Sequence, residues 1–251
     1  TINAHLRRAS HFSCERIDIF ATAVLRNCTN SREATAAIEA GINKRITILS
    51  NEEEAHLGFL GASLDRYLDH GTMVDIGGGS TELTHILDGL DLDKVSIPQG
   101  SLSSFANYTS GILPSAKEVE TIAKQFRTLA SKEGAEIYAS KQLYGIGGSI
   151  RSAAKVYGDL CNDGERYEYL LPDHIDAILS LYAKDPEAFA RQALHTVPDR
   201  IHTFIPGCII IREIFSLCKA QRLDILKYGV REGYLAERVL VKPIGNSENE
   251  S

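Results

Sequence analysis

The sequence lacks several features that would assign it to a specialised class of protein. It has no run of about 18 uncharged apolar residues, which argues against a membrane span; its best run, 208–211, ends at Arg212. It also has no excess of positive charge, since 27 Lys and Arg stand against 33 Asp and Glu. A net charge of −6 disfavours nonspecific binding to nucleic acid. With 43% hydrophobic residues, the chain is also too apolar to be mainly disordered.

Cysteine and targeting signals are equally scarce. The five cysteines form no CxxC pair and no metal-finger spacing, a pattern typical of reduced thiols in a cytoplasmic protein. The start of the chain has no apolar secretion core and no initiator methionine. We therefore expect a cytoplasmic protein with a trimmed start, and neither a membrane nor a nucleic acid as partner.

Strand and helix patterns alternate along the chain, which is typical of an α/β fold. Asp88-Gly89 between two strand patterns is a hairpin signal. The tail from Ile244 is polar and expected to be loose. Predicted strands cover residues 17–21, 46–49, 72–76, 80–87, 94–98, 142–146 and 224–228, and predicted helices cover 31–40, 52–68, 115–132, 150–158, 173–183, 185–194, 206–219 and 231–240.

The strongest local signal is the string 75–83, in which three consecutive glycines join two predicted strands. Consecutive glycines let successive backbone N–H groups point into one concavity, which suits a phosphate oxygen. Ser80 and Thr81 add hydroxyl donors. The turn differs from a P-loop, because no lysine follows the glycines and the turn joins two strands.

Two carboxylates border this turn, Asp75 on the preceding strand and Glu82 on the following one. Mg²⁺ takes one or two carboxylates together with waters and phosphate oxygens. The pair therefore predicts a magnesium site beside a phosphate cradle. A plain glycine hairpin with surface acids is the alternative, although such a hairpin needs only two loop residues and no acid pair.

A second glycine turn, at 145–151, follows a predicted strand and opens a helix. Its amides would bind an anion with the help of the helix dipole. It fails as a dinucleotide fingerprint, because Ile150 stands where the last glycine should be. Taken alone it is explained as well by a tight strand-to-helix turn, whereas two facing glycine loops would clamp one phosphate chain.

Other groups have two interpretations each. The acidic cluster at 51–56 opens a predicted helix, where it supplies either a catalytic base or acids stabilised by the helix dipole. Arg26 offers a guanidinium fork to phosphate or a surface ion pair. Cys208 near a predicted helix start is a reactive thiolate or a buried structural cysteine. The eight histidines have no metal-binding spacing.

Together these motifs resemble the exopolyphosphatase / guanosine pentaphosphate phosphatase family. The matching strings occur in the family's order and span nearly the whole chain, and the string 75–83 is the most specific of them. They are residues 21–26, 50–55, 75–83 and 145–151, then Arg200-Ile201 with Ile205-Pro206-Gly207, and 228–233.

The resemblance implies an α/β fold of the actin-like (sugar kinase and heat-shock ATPase) ribonuclease H-like type, with two domains and a cleft active site. It implies that Glu54 is the general base and that Asp75 and Glu82 bind the metal. The phosphate-binding residues so assigned are Arg26, Gly77, Gly78, Gly79, Ser80, Thr81, Gly147, Gly148, Ser149 and Arg151.

The sequence departs from the family's pattern at its start. The family usually opens with another phosphate hairpin, Asp-x-Gly-Ser-Asn, which nothing before Ala21 matches. We therefore expect a first domain that is truncated at its N-terminus, formed by residues 1–70 with the C-terminal helix 231–251, and a second domain at 71–230. The truncation raises the question whether this chain is active by itself.

The predicted function is hydrolysis of the terminal phosphate of linear inorganic polyphosphate, with Mg²⁺ as cofactor and water activated by Glu54. A guanosine pentaphosphate 5′-phosphatase and a noncatalytic polyphosphate or alarmone-binding protein are the alternatives. An ATP-dependent kinase of the same superfamily is disfavoured, since no adenosine pocket is evident in the sequence. The sequence leaves open the substrate preference and whether the chain forms a homodimer.

Overall fold

The computed structural model describes residues 1–161 and 167–240, and it separates into two compact units. The first unit runs from Thr1 to Glu54 and the second begins at Ala55. The first unit holds two short parallel strands, in which Phe20 pairs with Thr47. Its elements are α1 (Ile2–His11), β1 (Phe20–Ala21), α2 (Ala23–Arg26), α3 (Ser31–Ile42), β2 (Thr47–Ile48) and the first turn of α4 (Asn51–Ser63).

The second unit is built on a six-stranded mixed sheet. Its strands are β3 (Gly71–Ile76), β4 (Thr81–Leu87), β5 (Leu90–Ile97), β6 (Gln142–Ile146), β7 (Tyr169–Leu170) and β8 (Arg222–Ile225). They lie in the order β5-β4-β3-β6-β8-β7. Because β3, β6 and β8 are mutually parallel, their carboxyl ends meet at one edge of the sheet, which is where α/β proteins commonly bind ligands.

Helices cover the sheet on both faces. Met73 and Val74 are adjacent on β3 but belong to separate apolar clusters, because successive strand side chains point to opposite faces. The helices after α4 are α5 (Ser101–Tyr108), α6 (Ala116–Lys132), α7 (Gly148–Cys161), α8 (Pro172–Lys184), α9 (Pro186–Thr196), α10 (Ile201–Cys218) and α11 (Val230–Tyr234), with 3₁₀ turns at Ala135–Tyr138 and Pro198–Arg200 and a π-helical segment at Leu235–Leu240.

Helix α10 is the central helix of the larger core. The stretch Pro198–Cys218 is long and apolar enough to cross a membrane by length and composition, yet 72% of its most apolar window is buried inside the unit. Cys208 lies in the middle of this helix, 1% exposed. Burial raises the pKa of its thiol, so Cys208 is a buried structural cysteine and the thiolate interpretation is wrong.

Several element boundaries differ from the predicted ones. Helix α3 continues through Gly41, and Asn43, with φ of 50°, follows its end. Asn30 is its N-cap. Helix α10 begins at Ile201 rather than 206, with Pro206 inside it. Helix α5 and strand β7 were not predicted, and the polar tail from 244 lies outside the described residues.

Helix α4 begins in the first unit and continues into the second, whose first residue is Ala55. Two close approaches explain why the chain after Glu54 belongs with the large sheet. A Cβ on Gly61 of α4 would lie 2.0 Å from the carbonyl oxygen of Gly229, and one on Gly233 of α11 would lie 1.9 Å from that of Leu57. Helices α4 and α11 therefore pack tightly together in the second unit.

Candidate functional site

A cavity of about 550 Å³ opens in the second unit where β3 and β6 end. Both glycine turns contribute to it, together with the start of α5 and the segment that enters α10. We call it the glycine-turn pocket. Its lining residues are Asp75, Ile76, Gly77, Gly78, Ser101, Leu102, Gly147, Gly148, Asp199, Arg200, His202 and Thr203.

The first glycine turn is closed by one backbone bond and held from behind by α5. The N–H of Gly77 donates to the carbonyl of Ser80 at 3.0 Å. The carbonyl of Gly77 accepts from the N–H of Ser101 at 3.0 Å, and that of Gly78 from the N–H of Leu102 at 2.9 Å. The turn's carbonyls are thus committed to α5.

Two backbone amides of the same turn, unlike its carbonyls, have no hydrogen-bond partner among the described residues. Among the residues that the structure describes, the N–H groups of Gly78 and Gly79 have no acceptor. Both glycines are partly exposed, and successive N–H groups in a turn form an anion-binding concavity. Gly78 and Gly79 therefore remain candidates for phosphate binding, whereas the N–H of Gly77 closes the turn.

The start of helix α5 packs closely against the backbone of this turn. A Cβ on Gly100, the residue before α5, would lie 2.6 Å from the carbonyl oxygen of Gly77 and 2.7 Å from the carbonyl carbon of Gly78. The Ser103 hydroxyl accepts from the N–H of Gly100 at 2.9 Å. Only glycine permits this approach, because any side chain at 100 would collide with backbone.

The two predicted metal ligands lie side by side on the sheet. Asp75 of β3 is the cross-strand partner of Glu82 of β4, which in turn pairs with Ser96 of β5. Glu82 is 3% exposed and accepts hydroxyl bonds from Ser80 and Ser96. Two like charges directly opposite each other are unfavourable, and their hard oxygens suit Mg²⁺. The donor set is thus of the chemical kind that Mg²⁺ prefers, and the magnesium site stays a prediction.

The predicted hydroxyl donors are used within the fold. Thr81 is fully buried, and its hydroxyl donates to the carbonyl of Gln99 at 2.7 Å. The hydroxyl of Ser80 donates to Glu82. That of Ser149 lies 3.5 Å from the carbonyl of Ile76. The hydroxyls that we assigned to phosphate thus brace the turns, and the backbone amides are the donors that remain.

The second glycine turn is packed against charged side chains instead of backbone. Gly147 has φ of +94°, and a Cβ there would lie 2.7 Å from Oδ1 of Asp75. A Cβ on Gly148, the first residue of α7, would lie 2.1 Å from Nη2 of Arg200. The missing side chains thus make room for one carboxylate and one guanidinium at the carboxyl end of β6.

Arg200 is the principal site residue that the sequence reasoning missed. It ends the 3₁₀ turn before α10, is exposed, and lines the glycine-turn pocket. His202 lines it too, with its ring edge-on to Phe105 at 5.0 Å between centroids. Arg200 belongs to one of the matching strings, which is the available signal, although the sequence alone assigns it no role.

Arg151 lines a different cavity from the glycine turns, and its assignment to phosphate stays a prediction. It does not line the glycine-turn pocket; it lines a second, larger cavity along α7. Its pKa is lowered, first by burial and also by the positive charges of Arg200 and Arg231, while Asp75 acts in the opposite direction. Arg151 is therefore close enough to the pocket's charges to be influenced by them.

The predicted base and the predicted first-unit cation form an ion pair. Arg26 Nη1 donates to Glu54 Oε2 and to the carbonyl of Leu49, each at 2.7 Å. Glu54 is 8% exposed. Nε and Nη2 of Arg26 are buried without a hydrogen-bond partner among the described residues. Such orphaned donors cost about 1–3 kcal/mol each, and the assignment of Arg26 to phosphate stays a prediction.

Comparison with known proteins assigns this arrangement to a family. Residues 1–242 match the Ppx/GppA phosphatase family. A Haemophilus influenzae protein provisionally named an exopolyphosphatase is 23% identical over 243 residues, which cover 91% of this chain and 71% of that protein. A guanosine-5′-triphosphate,3′-diphosphate pyrophosphatase from Aeromonas hydrophila is 24% identical, over 88% of this chain and 44% of its own length. The chain thus spans less than half of the second relative.

Solved structures show the same fold. An exopolyphosphatase from Cytophaga hutchinsonii superimposes with a TM-score of 0.76 at 16% identity, over 91% of this chain and 76% of that one. A Ppx/GppA family member from Aquifex aeolicus gives 0.72 at 19% identity, over 94% and 78%. The predicted α/β fold is confirmed, and it is the fold of these Ppx/GppA structures.

Proposed function

The chain belongs to the Ppx/GppA phosphatase family, and we propose that it hydrolyses the terminal phosphate of linear inorganic polyphosphate. The observation that carries the proposal is the glycine-turn pocket. Gly78 of the first glycine turn, Gly147 and Gly148 of the second, and Arg200 all line it at one edge of the sheet. Backbone amides and a guanidinium are the donors that phosphate oxygens prefer.

The donors of this pocket act mainly by electrostatics. Charge spreads over the phosphoryl oxygens in the transition state, and donors already fixed in place stabilise it without reorganisation. Gly78 and Gly79 are held by carbonyl bonds to α5, and the exposed guanidinium of Arg200 lies against Gly148. We assign to these groups the binding of the phosphate chain and the orientation of its end.

We assign the general base to Glu54, which would orient a water and take its proton. The ion pair with Arg26 holds the Glu54 carboxylate in one orientation. The two unpartnered nitrogens of Arg26 are left to bind phosphate oxygens. In this proposal Arg26 both orients the Glu54 carboxylate and binds the phosphate.

Asp75 and Glu82 would hold Mg²⁺, which when bound would neutralise charge on the phosphate oxygens. The hydroxyls of Ser80 and Ser96 fix the orientation of Glu82. The carboxylate of Asp75 is set by its contact with Gly147. The positions of both carboxylates are therefore determined by the fold of the two turns.

Phosphate release by this chain, from polyphosphate and from guanosine pentaphosphate, with and without Mg²⁺, tests the proposal. A general base contributes about 10²–10⁴-fold, so Glu54→Gln should lower turnover by that factor and leave substrate affinity nearly unchanged. Glu52→Gln, an exposed acid in the same helical turn, is the matched control and should keep turnover. A wild-type rate in Glu54→Gln, or no release by the unmodified chain, contradicts the proposal.

A further inference from the structure

A histidine lies between two carboxylates at the end of the sheet where β3 begins. Asp69 and His70 directly precede β3, and Asp88 is in the turn that joins β4 to β5. We call these three residues the hairpin-end cluster. The glycine turns lie at the other end of β3, whose six residues span about 20 Å at about 3.3 Å each. The cluster is therefore separate from the glycine-turn pocket.

Each nitrogen of the His70 ring faces one carboxylate. Nδ1 lies 2.8 Å from Oδ2 of Asp69, and Nε2 lies 3.4 Å from Oδ1 of Asp88. A neutral imidazole has one N–H donor and one lone pair. The shorter distance is that of a hydrogen bond from Nδ1 to Asp69, which leaves the lone pair of Nε2 facing the carboxylate of Asp88. A proton or a metal ion between Nε2 and Asp88 would remove this repulsion.

The separation of Nε2 and Oδ1 matches that of two zinc ligands. Zinc binds histidine nitrogen and carboxylate oxygen at about 2.0–2.2 Å in tetrahedral geometry, so two such ligands lie about 3.3–3.6 Å apart. The observed separation is 3.4 Å. A metal-binding histidine usually donates its other N–H to a carboxylate, which is how His70 contacts Asp69. The cluster therefore has the geometry of a carboxylate–histidine–metal site.

The backbone holds the three residues in place. Asp88 and Gly89 have φ of 53° and 73°, which is typical of a two-residue type I′ hairpin loop. The N–H of Gly89 donates to the carbonyl of Asp69 at 3.1 Å. The hydroxyl of Tyr144 donates to the carbonyl of His70 at 3.3 Å. Binding of a metal ion would therefore require little rearrangement.

The hairpin-end cluster also carries negative charge that is not offset by a lysine or arginine in the described part of the chain. The ion-pair contacts of Asp69 and Asp88 are both with His70. One ligand atom from each residue lies within 4.8 Å of the other two. All three side chains are more than half exposed, so a hydrated cation can reach them.

A second histidine has similar neighbours, but its carboxylates are already paired with cations. His56 Nδ1 lies 2.8 Å from Asp91, and its Nε2 lies 3.3 Å from Glu237. Lys94 contacts the same oxygen of Asp91 at 2.7 Å, and Arg238 contacts Glu237 at 3.4 Å. Because these cations would repel a metal ion, this second cluster serves as a comparison for the first.

We propose that the hairpin-end cluster binds one Zn²⁺ ion through Nε2 of His70 and a carboxylate oxygen of Asp88. Asp69 accepts from Nδ1 and so holds the ring in the orientation that binding requires. Waters complete the coordination, because both ligands are exposed. Imidazole nitrogen favours zinc over Mg²⁺, which takes oxygen ligands. The site is independent of the proposed hydrolysis, since none of its residues lines the glycine-turn pocket.

Calorimetric titration of this chain with ZnCl₂ tests the proposal. Excess Mg²⁺ in the buffer competes for sites made of carboxylates alone. We expect saturable binding of zinc, which His70→Gln or Asp88→Asn weakens about tenfold or more. Asparagine keeps the turn, because it tolerates positive φ. His56→Gln is the matched control and should leave zinc affinity unchanged. No saturable binding, or binding that His70→Gln does not weaken, would overturn the proposal.

NMR of the ¹⁵N-histidine-labelled chain separates the roles of the two ring nitrogens. Zinc should shift the Nε2 resonance of His70, while Nδ1 keeps its proton. Asp69→Asn should weaken zinc binding about tenfold and still show the Nε2 shift at saturation, because Asp69 positions the ring and is not a ligand. Loss of the Nδ1 proton on zinc binding, or no change at either nitrogen, would overturn the assignment.

Discussion

The two glycine turns of the second unit are held in place by different groups. The first, at residues 77–79, gives its carbonyls to the N–H groups of α5 and is fixed by backbone alone. The second has the carboxylate of Asp75 against Gly147 and the guanidinium of Arg200 against Gly148. A side chain added beside the first turn would collide with backbone, which cannot move aside easily. A side chain added at Gly148 would meet the guanidinium of Arg200, which can move aside. The first turn should therefore respond to mutation through stability, and the second through ligand affinity.

The largest expected effect follows from Gly100→Ala, which breaks the support of the first turn. The new Cβ would lie 2.6 Å from the carbonyl oxygen of Gly77, so α5 or the turn has to shift. We expect a loss of about 1–3 kcal/mol in the free energy of unfolding, measured by urea denaturation, together with weaker binding of tripolyphosphate.

Gly111→Ala is the matched control in the same unit, because a Cβ there makes only an ordinary contact, 3.6 Å from the carbonyl oxygen of Leu113. It should leave the free energy of unfolding within about 0.5 kcal/mol of the unmodified chain. Equal stability of the two variants would show that α5 does not brace the turn.

Gly148→Ala should lower the free energy of unfolding less than Gly100→Ala does, and it should clearly weaken tripolyphosphate binding. The new Cβ displaces the guanidinium of Arg200 while the backbone stays. Hydrogen bonds to charged groups contribute about 1.5–3 kcal/mol, so tripolyphosphate affinity should fall roughly tenfold or more, by calorimetry.

Arg200→Ala should reproduce this loss, and the double variant should be little worse than either single one, because both remove the same interaction. Additive losses would mean that Gly148 does not act through Arg200. A melting temperature of Gly148→Ala as low as that of Gly100→Ala would remove the distinction between the turns.

The smallest expected effect is on the stability of the protein at acidic pH. Helix α6 is capped by Glu118, whose pKa is lowered from 4.5 to about 2, chiefly by the backbone N–H of Ser115. A depressed pKa stabilises the fold above pH 4.5, and this contribution is lost as the pH falls from 4.5 toward 2. Glu118→Gln should therefore flatten the fall of melting temperature over this range. Gly100→Ala introduces no titrating group, so the difference in melting temperature between this variant and the unmodified chain should stay constant over this pH range. A difference that changes with pH would contradict this.

How far the sequence predicts the site depends on the range of the interactions. The glycine turns and their bordering acids are visible because both lie within a few residues on adjoining strands. Helix α5, in contrast, is eight residues long and polar at its start, and it is held by carbonyls 24 positions earlier, at Gly77 and Gly78. No local pattern predicts such a helix.

Arg200 illustrates the same limit. Its string resembled the family, but its role depends on lying against Gly148, 52 residues earlier. Thr81 shows the reverse case, because a hydroxyl in the right motif proves to be bonded to Gln99 and fully buried. Chemistry that depends on tertiary neighbours is assigned only when the fold is known.

The most direct measurement is ¹H–¹⁵N NMR of the glycine-labelled chain during titration with inorganic tripolyphosphate. The N–H resonances of Gly78 and Gly79 should shift as the anion binds, while those of Gly111 and Gly134 stay in place. Saturable binding that leaves the Gly78 and Gly79 resonances unmoved would contradict it.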